Sequence, residues 1–260
     1  MNTTLMDHAT DTIAVGSKSF ATAAKLFDPA TRRSVLMLYA WCRYCDDVID
    51  GQELGFNVTP VEIAPAEQRL EMLKRQTLRA WEGGEMHEPA FAAFQEVALT
   101  HGITPRMALD HLDGFAMDVA QTRYVTFEDT LRYCYHVAGV VGLMMARVMG
   151  VRDERVLDRA CDLGLAFQLT NIARDIIDDA AIDRCYLPAE WLRDAGLTPE
   201  NYAARENRAA LARVLAQSPK LVLLDEPTNH LDPQARVELL ALVKSLGITV
   251  VAVLHDLSLI

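Results

Sequence analysis

Two short acidic stripes, each set on an otherwise apolar helical pattern, constrain this chain more than any other feature of its sequence. In Arg43-Tyr44-Cys45-Asp46-Asp47-Val48-Ile49-Asp50, Asp46 and Asp50 are four residues apart, so in a helix both carboxylates project from one face. Gln168, Asn171, Asp175 and Asp179 step by three, four and four residues and form a second stripe, with Asp178 beside it as Asp47 is beside the first. Like charges gathered on core-facing helices cost several kcal/mol unless cations neutralise them. Two facing stripes therefore predict metal ions between them. Carboxylates are hard oxygen ligands suited to magnesium, with manganese an acceptable substitute, and magnesium completes its shell with water and substrate phosphate oxygens. Arg43 and Arg174 stand next to the stripes, placed to take charge from diphosphate oxygens through forked hydrogen bonds. One acidic cluster alone is ordinarily a solvated helix face; two, each with an arginine, point to metal and diphosphate.

Up to about residue 202 apolar residues recur at three- and four-residue spacings, and no strand pattern competes. The spacing predicts helices over 31–49, 67–81, 88–101, 106–119, 130–149 and 154–178, with a longest loop over 51–65. After about residue 205 the pattern changes. A helix-like stretch, 206–217, leads into the β-rich run 220–225, then a helix-like 233–246 and a second β-rich run 248–254, which together read as a βαβ unit.

The chain has 260 residues, 51% of them apolar and 23% charged, and a net charge of −11 with a pI near 5.1. It lacks the basic stripe of a nucleic-acid binder, so nucleic acid is excluded as a partner. An acidic protein can still bind a diphosphate when divalent ions bridge the two. Five scattered cysteines, Cys42, Cys45, Cys134, Cys161 and Cys185, with no signal-peptide pattern, predict reduced thiols and a cytoplasmic protein. Cys42 and Cys45 form a CxxC with no second pair at zinc spacing, and packing is the expected role. The most apolar stretch, 137–146, falls short of the ~20 residues needed to span a bilayer, leaving only peripheral membrane contact.

Five segments in order, Gly16-Ser17-Lys18-Ser19-Phe20, Tyr39-Ala40-Trp41-Cys42-Arg43 running into the first stripe, Tyr133-Cys134-Tyr135-His136-Val137-Ala138-Gly139, Gln168-Leu169-Thr170-Asn171-Ile172-Ala173-Arg174-Asp175 and Arg184-Cys185-Tyr186-Leu187-Pro188, resemble the signatures of bacterial phytoene synthases. That resemblance, over about residues 1–205, implies a mainly α fold, the helical class I isoprenoid-synthase fold, here without its final helices. It also implies magnesium-dependent head-to-head joining of two geranylgeranyl diphosphates through a cyclopropylmethyl diphosphate, as in carotenoid biosynthesis. Carried over, Asp46, Asp47, Asp50, Asp175 and Asp179 hold magnesium; Tyr39, Arg43, Gln168, Asn171 and Arg174 meet diphosphate; Ser19, Phe20, Tyr133 and Val137 line the substrate cavity.

The segment over about 208–260, with Leu221-Val222-Leu223-Leu224-Asp225-Glu226-Pro227-Thr228-Asn229-His230-Leu231-Asp232 and Leu254-His255-Asp256, resembles the Walker B to switch-histidine region of ATP-binding-cassette ATPases. In that family Asp225 serves magnesium, Glu226 orients the attacking water and His255 is the switch histidine. No Gly-x-x-x-x-Gly-Lys-Ser/Thr loop precedes it to hold phosphates, so nucleotide hydrolysis is not expected. The two resemblances predict a chimera that switches parents between 202 and 211. Beside the active synthase stand two further readings: a hybrid that binds magnesium and diphosphate without turnover, and an ATP-binding fragment.

Overall fold

In a computed structural model the chain is described over residues 2–53, 56–57, 64–207, 210–211, 221–225, 241 and 249–253. Ten α-helices follow one another among these residues: α1 (Asn2–Gly16), α2 (Lys18–Ala24), α3 (Pro29–Asp50), α4 (Ala66–Trp81), α5 (Pro89–His101), α6 (Pro105–Val119), α7 (Phe127–Cys134), α8 (Val140–Val148), α9 (Glu154–Ala181) and α10 (Ala189–Asp194). Their ends follow local chemistry. Asp28 accepts the backbone N–H groups of Ala30 and Thr31 and Pro29 opens α3, while Gly51 closes it in the left-handed region at φ 67°. The same grammar, Pro89 at the start and Gly102 at the end, bounds α5.

Two compact units result: Met1–Thr122 with Leu131–Leu165, and Arg123–Thr130 with Ala166–Ile260. The core of the first is built on α3, whose Trp41 is fully buried and stacks on Phe94 of α5 with ring centroids 4.3 Å apart. Leu73, Leu112 and Met144 bring α4, α6 and α8 into the same apolar cluster. Arg33 of α3 forks onto Glu96 of α5 at 2.7 and 2.9 Å. Close approach of α8 and the turn before it to α9 depends on Gly142 and Gly164, where a Cβ would collide with the backbone carbonyls of Ala160 and Ala138.

The second unit holds the end of α9 by a loop from Arg184 to Leu187. The Tyr202 hydroxyl donates to the carbonyls of Arg184 at 3.0 Å and Ile176 at 3.4 Å, and the Thr130 hydroxyl donates to the Tyr186 carbonyl at 2.9 Å. Phe127 stacks on Trp191 of α10.

Three features differ from the sequence reading. Within 51–65 a two-residue antiparallel ladder, β1 (Gln52–Glu53) with β2 (Phe56–Asn57), forms in what reads as pure loop; two residues are too few to leave an alternating pattern. The helix expected over 130–149 is divided by a π-turn, Tyr135–Gly139, between α7 and α8. Over the expected helix 206–217, the described residues give a short 3₁₀ turn, Arg205–Asn207, and helical backbone at 210–211. The two β-rich runs do form strands, β3 (Leu221–Asp225) and β4 (Thr249–Val253), paired in parallel from Leu221 opposite Thr249 to Asp225 opposite Val253. The helix expected at 233–246 lies outside the described residues apart from 241, so the mainly helical class stands and a complete βαβ unit is not part of what is described.

Candidate functional site

The first stripe closes α3. Arg43 reaches along the helix to both neighbouring acids, Asp46 at 3.3 Å and Asp47 at 3.0 Å. Asp47 is turned inward, its side chain 10% exposed, whereas Asp46 is 42% exposed and Asp50 is open to solvent. Asp46 and Asp50 are thus more open than a core-facing stripe implies, and water lowers their desolvation penalty, while Asp47, the most buried of the three acids, shares Arg43 with Asp46. The Arg43 Nε is buried with no hydrogen-bond partner, a donor that an anion would satisfy.

Tyr39, one turn before Arg43, is half-buried, and burial pushes its phenol above the usual range. Its ring lies 6.1 Å from that of Phe20, itself exposed. Gly16, at the end of α1, lets the Tyr39 hydroxyl come so close that a Cβ there would be 2.5 Å from it. Ser17 caps α2 by accepting the Phe20 N–H; Ser19 belongs to α2, but its side chain lies outside the described residues.

The second stripe lies on α9. Gln168, Asn171, Asp175 and Asp179 are all partly buried, as one face demands, while Asp178 is exposed. Asn171 donates to the Gln168 side chain at 3.4 Å. Arg174 forks onto Asp175 with two bonds of 2.7 Å, so an incoming diphosphate would have to draw the guanidinium from its neighbour. Both stripes oppose their helices' dipoles. Asp46, Asp47 and Asp50 lie in the last five residues of α3, Asp175, Asp178 and Asp179 in the last seven of α9, and neither helix has a basic residue in its last turn. Acids in the last turn of a helix, here Asp47, Asp50, Asp178 and Asp179, are unfavourable by roughly 0.3–1 kcal/mol each, a penalty that bound cations would relieve.

Among the described residues no three His, Cys, Asp or Glu side chains converge as a ready metal cage. Magnesium is commonly held by one or two carboxylates together with substrate phosphate, and the i, i+4 acids fit that mode.

Tyr133 and Val137 are placed by α6. The Tyr133 hydroxyl donates to Asp118 at 3.1 Å, the Tyr135 hydroxyl donates to Asp110 at 2.8 Å, and Val137 packs against Gly114, where a Cβ would strike it at 2.6 Å. Asp110, Gly114 and Asp118 are four apart, a third stripe on one helix face that the sequence reading passed over; the Asp-Gly-Asp spacing was its signal. Cys42 and Cys45 pack as expected: both are free, and burial pushes the Cys42 thiol up to about 12 and the Cys45 thiol well above its ordinary value. Of the nucleotide-site residues, Asp225 ends β3, and Glu226 and His255 lie outside the described residues. No helix among the described residues is long and apolar enough to cross a membrane.

The squalene/phytoene synthase family profile matches residues 13–240. That match runs past residue 205, so it does not divide the chain there and lends no support to the cassette-ATPase reading of the tail. A phytoene synthase of Pseudescherichia vulneris is 86% identical over 210 residues, 81% of this chain and 68% of its own length. The 15-cis-phytoene synthase of Pantoea ananas is 68% identical over 213 residues, covering 82% of this chain and 69% of that protein. The chain therefore spans a little over two thirds of the length of these relatives. A crystal structure of a dehydrosqualene synthase in complex with ligand superposes with a TM-score of 0.69 at 28% identity, over 83% of this chain and 73% of the other.

Proposed function

This chain belongs to the squalene/phytoene synthase family, and on that premise we propose that it is a transferase that joins two geranylgeranyl diphosphates head to head to give 15-cis-phytoene. The observation that carries this reading is the likeness to phytoene synthases across four-fifths of the chain. The chemistry of the two stripes supports it. Asp46 and Asp50 on α3 and Asp175 and Asp179 on α9 would hold magnesium, which when bound would draw charge from the departing diphosphate as a Lewis acid. Asp47, gripping Arg43, would orient that guanidinium toward the phosphate oxygens rather than hold the metal alone. Tyr39, Gln168, Asn171 and Arg174 would complete the polar contacts. Ser19, Phe20, Tyr133 and Val137 would line the apolar pocket, which keeps water from the allylic cation. The second prenyl chain attacks that cation, so no protein nucleophile is needed. Loss of a proton after that attack closes a cyclopropylmethyl diphosphate, whose own ionisation, rearrangement and loss of a second proton give phytoene without a reductant.

The test is incubation with geranylgeranyl diphosphate and magnesium, then extraction of the hydrocarbon: phytoene, abolished by chelator, is the expected result, and no hydrocarbon from folded protein would refute the reading.

A second reading concerns the C-terminal segment alone. The parallel pairing of β3, ending at Asp225, with β4 is the arrangement that a cassette-ATPase fragment would retain, and it supports a chimera with a boundary near 205. Protease cutting first within residues 203–207, releasing a stable N-terminal product, is expected; a tail as resistant as the rest would count against the boundary.

A further inference from the structure

The π-turn at Tyr135–Gly139 carries an inference about how the substrate wall is held. In an ordinary α-helix the Val140 N–H would bond to the carbonyl of His136, four residues back. Here it bonds to Tyr135, five residues back, and the His136 carbonyl is left over. That carbonyl lies 3.2 Å from Nδ1 of His111 on α6. We propose that His111 is a positioning residue for this synthase: its Nδ1–H holds the carbonyl displaced by the π-turn and so fixes the turn that sets Tyr133 and Val137.

Three observations support the assignment. His111 is 4% exposed among Trp41 and Phe115, with ring centroids 5.4 and 5.1 Å away. Burial pushes its pKa down to about 4, so at neutral pH the ring carries one proton. Its Nε2 is buried with no partner, which puts that proton on Nδ1, where an acceptor exists. The turn is also bound to α6 on both sides of His111: the His136 ring Nδ1 lies 2.7 Å from the Asp110 carbonyl, and Gly114 gives Val137 its space.

A π-turn absorbs one extra residue. Without a donor for the spare carbonyl, the turn relaxes toward α geometry, and residues on one side of it shift by one register, about 100° around the helix axis. Tyr133 and Val137 then leave the face they occupy. The consequence falls on chain-length selection more than on chemistry, because the diphosphate-binding residues are elsewhere.

This inference rests on the reading of the chain as a prenyl diphosphate synthase, and the test separates the two. Wild type, His111→Asn, which keeps a donor near the Nδ1 position, and His111→Phe, which keeps the bulk and loses the donor, are assayed with geranylgeranyl and farnesyl diphosphates. The ratio of kcat/KM for the C20 over the C15 substrate is expected to fall about tenfold in His111→Phe, and to stay within about twofold of wild type in His111→Asn. Nitrogen-15 NMR of wild type, with His111→Asn to assign the signal, is expected to show a neutral Nδ1–H imidazole. An unchanged ratio in His111→Phe, or an Nε2–H tautomer in wild type, overturns the proposal. Should His111→Phe fail to fold, the tautomer and the His111→Asn ratio decide. A wild type that makes no hydrocarbon defeats the functional reading, while the tautomer still decides whether His111 holds the turn.

Discussion

Replacing Gly16 by alanine tests whether the position of one hydroxyl matters to the site. The new Cβ would lie 2.5 Å from the Tyr39 hydroxyl, where ordinary contact begins near 3.4 Å, so the phenol must retreat by about 0.9 Å, the difference between the two. It can do so cheaply, because the clash is with the far end of a half-buried side chain rather than with backbone. Gly16 is not in the left-handed region, and alanine is the better helix former by up to about 1 kcal/mol, so the fold should not suffer. A misplacement of about 1 Å in a group that orients substrate costs up to about 100-fold in rate. Gly16→Ala should therefore lose about 10- to 100-fold in kcat/KM for geranylgeranyl diphosphate while Tm, followed by circular dichroism, stays level or rises slightly. Full activity at unchanged Tm would mean that Tyr39 does not act through its hydroxyl, and activity lost along with a large fall in Tm would mean that the helices yielded instead.

Arg43→Ala should destabilise the fold by about 2 kcal/mol, below the 3–5 expected of a fully buried pair, because it takes the guanidinium from inward-turned Asp47. Adding Asp47→Asn should recover part of that loss in urea unfolding, and strict additivity of the two changes would contradict the pairing. The folded His111 pKa, about 4, lies below its ordinary 6.5, so as pH falls the unfolded chain takes the proton first. His111 therefore contributes stability that is present above 6.5 and is lost as pH falls toward 4, at up to about 1.4 kcal/mol per unit. Between pH 7 and 5 the loss of unfolding free energy should be about 2 kcal/mol smaller in His111→Asn than in wild type; equal losses would refute the buried neutral ring.

Helix positions were legible because their ends carry backbone chemistry in plain view: Asp28-Pro29 before α3 and Gly51 after it, Pro89 and Gly102 around α5, Pro105 at the head of α6. The stripes were legible for the same reason, since spacing alone puts Asp46 with Asp50 and Asp175 with Asp179. What spacing cannot tell is which way a rim residue turns. Asp47, adjacent to the pair, is the acid that faces inward. The π-turn was also hidden, because one extra residue hardly disturbs an apolar pattern over 130–149, and the contact at its spare carbonyl comes from His111, 25 residues earlier. Likewise Gly16 read as part of a motif, while its reason, the nearness of Tyr39, is a contact between distant positions. The cavity roles of Ser19, Phe20, Tyr133 and Val137 came from resemblance alone, and geometry adds most where a polar atom is left over, as at Arg43 and His111.

The central claim, that the two aspartate stripes hold the magnesium needed to ionise a prenyl diphosphate, is tested most directly by measuring phytoene formation against magnesium concentration in wild type, Asp46→Asn and Asp175→Asn. Loss of at least about 100-fold in activity in each variant, with Tm retained and only partial recovery at high magnesium, is the predicted result. Phytoene formed at the wild-type rate and with the wild-type magnesium dependence by either variant would contradict it.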